Sequence, residues 1–394
     1  MFKRTHITTR QLADGSTLTI PVFTFPGTNP QAPQTYIQSS IHGAEIQGNG
    51  VILHLIEHFS KHPPFGTIVL VPNVNPFSIN QRLGDYGYSR FDPNTGDNWN
   101  RLYANITCPT SSEKTADDQI VIEEFLKKIA TNAPIPEVIK KLQTEILDRL
   151  QKRLENHRSS YGQKLALQIQ AMASKADIVL DLHCDTISLP HLYSPHYAIN
   201  SAREFNIPYL ISIPEKFAGA LDEACFCPWA NLAQVWNNTQ YPEPHVEAFT
   251  LEFGSQEILD LDTAKEQALS IIHYLSTKHV CDDADYQRIS KQYICPLADL
   301  GNIYSPQGGY ISYFARLGEI IQTNQPLLKI LQINNLNNPN IFENNHPKAS
   351  LFESLTTTVL APTTCIPIVR SCAATVHEGL PVMKIFKSYS IIEN

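Results

Sequence analysis

The chain has 394 residues, 42% of them apolar and 17% charged, which is enough for a sizeable core and too hydrophobic for wholesale disorder. A balance of 30 Lys and Arg against 38 Asp and Glu gives a net charge of −8, with no basic stripe, and argues against a phosphate-backbone binder. No apolar run approaches the ~18 residues of a membrane span, and the opening MFKRTHITTRQLADGSTLTI has no signal-peptide core. The 8 cysteines are irregularly spaced and form neither a disulfide framework nor a Cys-x-x-Cys pair, so a soluble cytoplasmic protein with reduced thiols is expected.

Four β-rich runs organise the first part of the chain: residues 35–41, 67–71, 177–182 and 248–253. Most are nearly continuous apolar stretches, as strands covered on both faces require. Between the first two, Ile52, Leu55, Ile56 and Phe59 make one stripe of an amphipathic helix. From about residue 117 to 175 the chain is charged and helix-prone, interrupted by Pro134 and Pro136. This segment reads as a helical insertion spanning about 107–175. Strands alternating with helices predict an α/β domain over 1–292, with a mostly parallel or mixed sheet flanked by helices.

Past residue 293 the pattern changes to short runs and turns, which predicts a small β-barrel or sandwich domain over 293–394. A faint repeat supports it, since Pro326, Lys329 and Ile330 recur 55 residues later as Pro381, Lys384 and Ile385. The Asn-rich stretch 332–345 reads as an exposed loop. Met383-Lys384 superficially suggests a cofactor attachment site, but Lys384 lies too near the end of the sequence and is read as a plain strand residue.

The four strands end in chemically suggestive residues: Ile41-His42-Gly43-Ala44-Glu45, Asn73-Val74-Asn75-Pro76, Asp181-Leu182-His183 and Leu251-Glu252-Phe253-Gly254. Ligands of open α/β sheets bind outside the carboxyl ends of the strands. His42, Glu45 and His183 make a three-ligand set that leaves a catalytic zinc one open position. Glu252 has the chemistry of the general base, and Asp181, which in a straight strand shares the face of His183, is a weaker candidate for supporting that ring, its reach left open by the sequence. The same His-x-x-Glu spacing at His54 and Glu57 falls off the apolar stripe of its helix and reads as a solvated face. Cys184 reads as a small buried hydrophobe rather than a ligand, and Cys225 and Cys227 as structural thiols. A second metal drawing on Asp185 is the lesser alternative to a single ion.

Asn75-Pro76, Arg90 and Asp97-Asn98-Trp99-Asn100-Arg101 make the pattern more specific. The order His-x-x-Glu, Asn-Pro, Asp-x-x-Asn-Arg, Asp-Leu-His and a strand-borne Glu resembles the zinc carboxypeptidase-like metallohydrolases, most closely their succinylglutamate desuccinylase/aspartoacylase branch. The resemblance covers about residues 35–105 and 175–255, and the C-terminal β-domain matches in type. It implies His42, Glu45 and His183 as zinc ligands, Glu252 as general base, and Asn100 with Arg101 as the clamp on a substrate carboxylate. Arg90 is chosen as the oxyanion stabiliser, with Arg82 as its rival. Tyr304, Tyr310 and Tyr313 are the candidates for a tyrosine that this family brings from its C-terminal part.

The function so implied is zinc-dependent hydrolysis of an amide bond in a small carboxylate-bearing substrate, an N-acyl amino acid. No nucleic-acid or membrane partner is expected, and assembly into a homo-oligomer fits the class. The alternatives are a metallocarboxypeptidase acting on short peptides or cell-wall fragments, a transferase using the same zinc site, and an inactive carboxylate-binding relative.

Overall fold

A computed structural model describes residues 2–87, 89–113, 118–130, 132–155, 159–236, 241, 244–283, 287–343, 346–347 and 350–393. In chain order, the hairpin β1 (Lys3–Gln11) and β2 (Thr17–Phe25) is followed by β3 (Thr35–Ser39), α1 (Gln47–Lys61) and β4 (Ile68–Val71). Three helices come next: α2 (Ile122–Lys127), α3 (Ile135–Leu154) and α4 (Tyr161–Ala173). The segment expected to be helical is so, and Pro136 sits in the first turn of α3, where its missing N–H costs nothing.

The chain continues through β5 (Ile178–Asp185), β6 (His191–Pro195), β7 (Tyr209–Ile213), α5 (Leu221–Val235), β8 (Glu247–Ser255), α6 (Leu261–Thr277) and β9 (Lys291–Pro296). The C-terminal part supplies β10 (Leu300–Tyr304), β11 (Gly309–Tyr313), β12 (Pro326–Leu331), β13 (Thr356–Leu360), β14 (Ile366–Arg370), β15 (Pro381–Phe386) and β16 (Ser390–Glu393).

The largest sheet joins ten strands in the order β1-β2-β4-β3-β5-β8-β6-β7-β9-β16. The four strands legible in the sequence, β4, β3, β5 and β8, are its parallel centre, and β2 and β6 border them antiparallel. The result is the mixed α/β sheet expected. Side chains alternate between its faces with period two. On β5, Ile178, Leu180 and Leu182 pack into the layer that holds Leu55, Phe59, Ile271 and Leu275 of α1 and α6, whereas Val179 packs into the layer of Leu165, Leu167 and Phe226 from α4 and α5. That alternation puts Asp181, His183 and Asp185 on the same face as Val179.

The expected division at residue 293 falls inside β9, which pairs with β7 and then with β16, so the last strand of the chain returns to the main sheet. Between them lie two four-stranded sheets, β13-β12-β11 with Thr375–Val376, and β10-β15-β14 with Ile187–Ser188. The repeat read from sequence is structural, because β12 and β15 are inner strands of the two sheets. Leu327, Leu328 and Ile330 share one core with their 55-residue counterparts Val382, Met383 and Ile385.

Leu180 is fully buried at the sheet centre. Leu180→Ala should lower unfolding stability by about 2–5 kcal/mol, read as a lower urea midpoint at unchanged slope.

Candidate functional site

Three adjacent strands set the site. Glu252 on β8 lies in register with His183 on β5, and on its other side with His191 on β6. One strand further across, Gln38 of β3 is paired with Asp181.

The His42–Glu45 turn follows β3 and is closed by the Glu45 N–H donating to the His42 carbonyl at 3.1 Å. Asn75 anchors it, donating to the Ile41 carbonyl at 3.0 Å while its side-chain oxygen accepts from the Ser78 N–H at 3.0 Å. The Ser78 hydroxyl in turn accepts from the Gly43 N–H at 2.9 Å. A Cβ at position 43 would stand 2.3 Å from the Ile79 Cα, so only glycine lets the two loops come this close. The Asn-Pro motif thus serves to fix the His42–Glu45 turn.

Glu45 is 1% exposed and lies between the two histidines. Its Oε1 is 2.9 Å from His42 Nδ1 and its Oε2 is 2.7 Å from His183 Nδ1. The far ring nitrogens face acceptors: His42 Nε2 is 2.8 Å from Asn98 Oδ1, and His183 Nε2 is 2.9 Å from Asp181 Oδ2. Asn98 Oδ1 also accepts from the Asn100 N–H at 3.0 Å, which fixes that atom as oxygen. Each ring thus turns Nδ1 to the Glu45 carboxylate and Nε2 to a side-chain oxygen; a protonated ring donates at both ends, and a neutral ring with its hydrogen on Nε2 offers Glu45's side an Nδ1 lone pair.

Protonated rings satisfy the carboxylate directly, and in the neutral form the same two nitrogens and the carboxylate offer lone pairs that one cation accepts. The donor set of two imidazoles and one carboxylate, all within 4.8 Å of one another, fits zinc. Burial alone would raise the Glu45 carboxyl, but the two histidines outweigh it and hold it well below the usual range. Burial likewise opposes charge on His183, and the Asp181 and Glu45 carboxylates override it, holding the imidazole well above its ordinary value.

A cavity of about 380 Å³ opens in front of this group, with His42, His183, Glu252, Arg90, Asn100 and Arg101 on its wall. The Glu252 carboxyl is pushed up to about 8, first by burial and then by the negative charge of Asp185, and among the described residues its Oε2 has no hydrogen-bond partner. Arg90 reaches Glu45 Oε1 at 3.0 Å. Arg82 is exposed and donates to the Asp85 carbonyl at 2.8 Å, away from the cavity wall. The Asn100 amide oxygen accepts from the Leu221 N–H at the start of α5 (3.3 Å), and its Nδ2 lies 3.2 Å from His183 Nε2. Arg101 is exposed, and its guanidinium donates to the Asn100 carbonyl at 2.6 Å.

Other residues fall elsewhere. His54 contacts the Leu261 carbonyl at 3.1 Å, and Glu57 pairs with Lys61 at 2.7 Å on the outer face of α1. The Cys184 thiol is pushed up by burial, and it is the Cys184 backbone N–H that donates to Glu45 Oε2, at 3.2 Å. Cys225 and Cys227 are buried in α5 with thiols raised by the same cause.

Tyr304 and Tyr310 are about half exposed, Tyr313 donates to the Val382 carbonyl at 3.0 Å, and none of the three lines the cavity. The β-domain instead contributes Lys384, whose Nζ is 2.5 Å from Asp185 Oδ2 at the cavity wall. Lys384 does lie in a strand, as the sequence indicates, but that strand borders the cavity. Sequence reasoning also passed over Asn98, which holds His42 from behind, and over Tyr193 and Asp222 on the wall. Asn98 was within reach, because it stands inside the Asp-Asn-Trp-Asn-Arg motif.

The family model of the succinylglutamate desuccinylase/aspartoacylase catalytic domain matches residues 31–138 and 144–277, and so runs through most of the helical segment. Among solved structures, one from Shewanella frigidimarina NCIMB 400, named for succinylglutamate desuccinylase/aspartoacylase, is 34% identical, covering 99% of this chain and 98% of its own, with a TM-score of 0.88. A family protein from Shewanella amazonensis SB2B is 33% identical over 100% of both chains, with a TM-score of 0.87. A third, from Rhodobacter sphaeroides, shares the fold at 13% identity, covering 98% and 96% of the two chains with a TM-score of 0.65. A search of curated proteins returns no match. Among the described residues no helix is long and apolar enough to cross a membrane.

Asp181 holds the His183 ring from behind and is itself held by Gln38 Nε2 at 2.8 Å. If the His42–Glu45–His183 group takes up zinc, Asp181→Asn should weaken that binding about 10–100-fold, measured by competition with a chromophoric chelator, while the stoichiometry at saturation stays unchanged.

Proposed function

We propose that this chain, which belongs to the succinylglutamate desuccinylase/aspartoacylase family, is a zinc-dependent deacylase that cleaves the amide bond of an N-acyl amino acid. The observation that carries the reading is the convergence of His42 Nδ1 and His183 Nδ1 on the buried Glu45 carboxylate, with Glu252, whose Oε2 has no hydrogen-bond partner among the described residues, facing the same cavity. Zinc held by His42, Glu45 and His183 would supply Lewis acidity and lower the pKa of a water to about 7.

The remaining chemistry belongs to the chain's own side chains. Asn100 and Arg101 hold the substrate carboxylate at one end of the cavity, a task suited to the planar guanidinium fork. That fixes the amide carbonyl in front of Glu252. Glu252 takes the proton of the attacking water and returns it to the leaving nitrogen. Arg90 donates to the carbonyl oxygen as it gains negative charge. The products are a carboxylate and a free amino acid. A cavity of this volume, bordered by Lys384 from the β-domain, favours a small substrate over a long peptide.

The test is hydrolysis of a panel of N-acyl amino acids, with metal content measured alongside. Glu252→Gln should keep zinc and lower kcat by at least ~10²-fold, and Arg90→Ala should lower kcat by ~10²–10³-fold. Near-normal turnover in Glu252→Gln would remove Glu252 from the role of base. A folded, zinc-loaded protein that binds carboxylates without turnover would instead be an inactive relative. Glu252 works only when ionised, so kcat/KM should rise with pH through its titration. The added cation stabilises the carboxylate, which places the midpoint of that acid limb below the value of about 8 set by burial and Asp185.

A further inference from the structure

Asp222 lines the same cavity as the candidate site, yet it is only 3% exposed. It sits in the first turn of α5, where its Oδ1 accepts from the Glu223 N–H at 2.9 Å. An acid in the first turn of a helix is ordinary at a protein surface; this one is buried in a cavity wall. The segment before it packs on Asn100 and Arg101. The Leu221 N–H meets Asn100 Oδ1 at 3.3 Å, and a Cβ at Gly219 (φ +106°) would stand 3.0 Å from the Arg101 carbonyl oxygen. On the sheet side Asp222 is hydrogen-bonded to Thr250, which precedes Glu252 by two residues on β8 and so shares its face. Asp222 is thus tied on one side to the Asn100–Arg101 pair and on the other to the strand that carries Glu252.

The cations of this wall are engaged elsewhere. Arg90 pairs with Glu45 at 3.0 Å, Lys384 with Asp185 at 2.5 Å, and Arg101 donates to the Asn100 carbonyl at 2.6 Å, while Lys216 is exposed. Among the described residues Asp222 forms no ion pair, and the charges that weigh most on it are the carboxylates of Glu223 and Asp181. Burial first, and then Glu223, pushes its carboxyl up to about 7. A buried carboxyl with negative neighbours and no cation of its own favours a positive charge brought by a ligand.

We propose that Asp222, supported by Thr250, selects the amino-acid half of the substrate by pairing with a cationic side chain, so that the substrate is the Nα-acyl derivative of a diamino acid of the ornithine or lysine type. The inference rests on the deacylase reading and deepens it. With the substrate carboxylate on Asn100 and Arg101 and the amide in front of Glu252, the side chain on the same α-carbon is left to turn towards Asp222. A protonated Asp222 is the rival state. It would donate to an acceptor in the side chain and favour glutamate or glutamine instead.

The test compares kcat/KM within pairs that differ by the terminal ammonium: Nα-acyl-ornithine against Nα-acyl-norvaline, and Nα-acyl-lysine against Nα-acyl-norleucine. Formyl, acetyl and succinyl serve as acyl groups, and the glutamate and glutamine derivatives are run alongside. The cationic member of at least one pair should be preferred at least ~10-fold. Asp222→Asn should bring that ratio close to one, mainly by raising KM for the cationic substrate. A purely structural role in α5 would slow both members alike and preserve the ratio. Thr250→Val, the second variant should Asp222→Asn fail to fold, should narrow the same ratio. No preference for the cation in the unaltered protein, a preference for glutamate or glutamine, or an unchanged ratio in a folded variant overturns the proposal. If the zinc-loaded protein hydrolyses none of these compounds, it is the deacylase reading that fails. Calorimetry with free ornithine and norvaline then decides the role of Asp222: ornithine binding that is lost in Asp222→Asn upholds it, and equal binding of the two amino acids overturns it.

Discussion

The lateral register of β5, β8 and β6 is the constraint on which the rest of the site depends. It sets His183, Glu252 and His191 side by side on one face of the sheet. With side chains alternating every residue, a one-residue slip of β8 would turn Glu252 into the layer held by α1 and α6 and bring Leu251 to the cavity. The register is defended by packing, since Leu180 and Leu182 of β5 and Phe249 and Leu251 of β8 are fully buried in that other layer. The hydrophobic pattern that folds the sheet is thus the same pattern that aims the polar groups of the candidate site.

The polar side of the sheet shows the opposite economy. Glu45, Asp181, His183, Asp185 and His191 are all buried, and three carboxylates and two imidazoles share one small region. Burying so many ionisable groups together works against the folded state unless protons, paired donors or a cation offset it. The scaffold bears this because rigid neighbours hold each group: Gln38 for Asp181, Asn98 for His42, and the Asn75–Ser78–Gly43 relay for the turn. Local arrangement that serves no stability purpose is what a binding site looks like from the standpoint of folding.

Much of this was legible in the sequence, for reasons tied to chain locality. Strand-end motifs such as Asp181-Leu182-His183 announce their own elements, and the order of motifs carries the family resemblance. The two histidines, Glu45, Glu252, Arg90, Asn100 and Arg101 all reach one cavity wall or its floor. Residues whose role depends on distant pairing were not legible. Lys384 reaches Asp185 across 199 residues of chain. His191 begins a short strand bracketed by Pro190 and Pro195, which reads as a turn until the register of β6 against β8 is known. The division at residue 293 failed to register that β9 and β16 belong to the main sheet, because a strand's partners are not written in its own residues.

The return of β16 to the main sheet bears on how the β-domain acts. With β9 and β16 paired at the sheet edge and Ile187–Ser188 joined to β14, the two C-terminal sheets are tied to the catalytic layer at two places. Between those ties lies β15, which carries Lys384 to the cavity wall. A residue delivered from a doubly anchored strand is positioned, whereas one on a freely hinged domain would sweep through the cavity. The Asp185–Lys384 ion pair therefore belongs to the wall of the site that the sheet pairings hold in place.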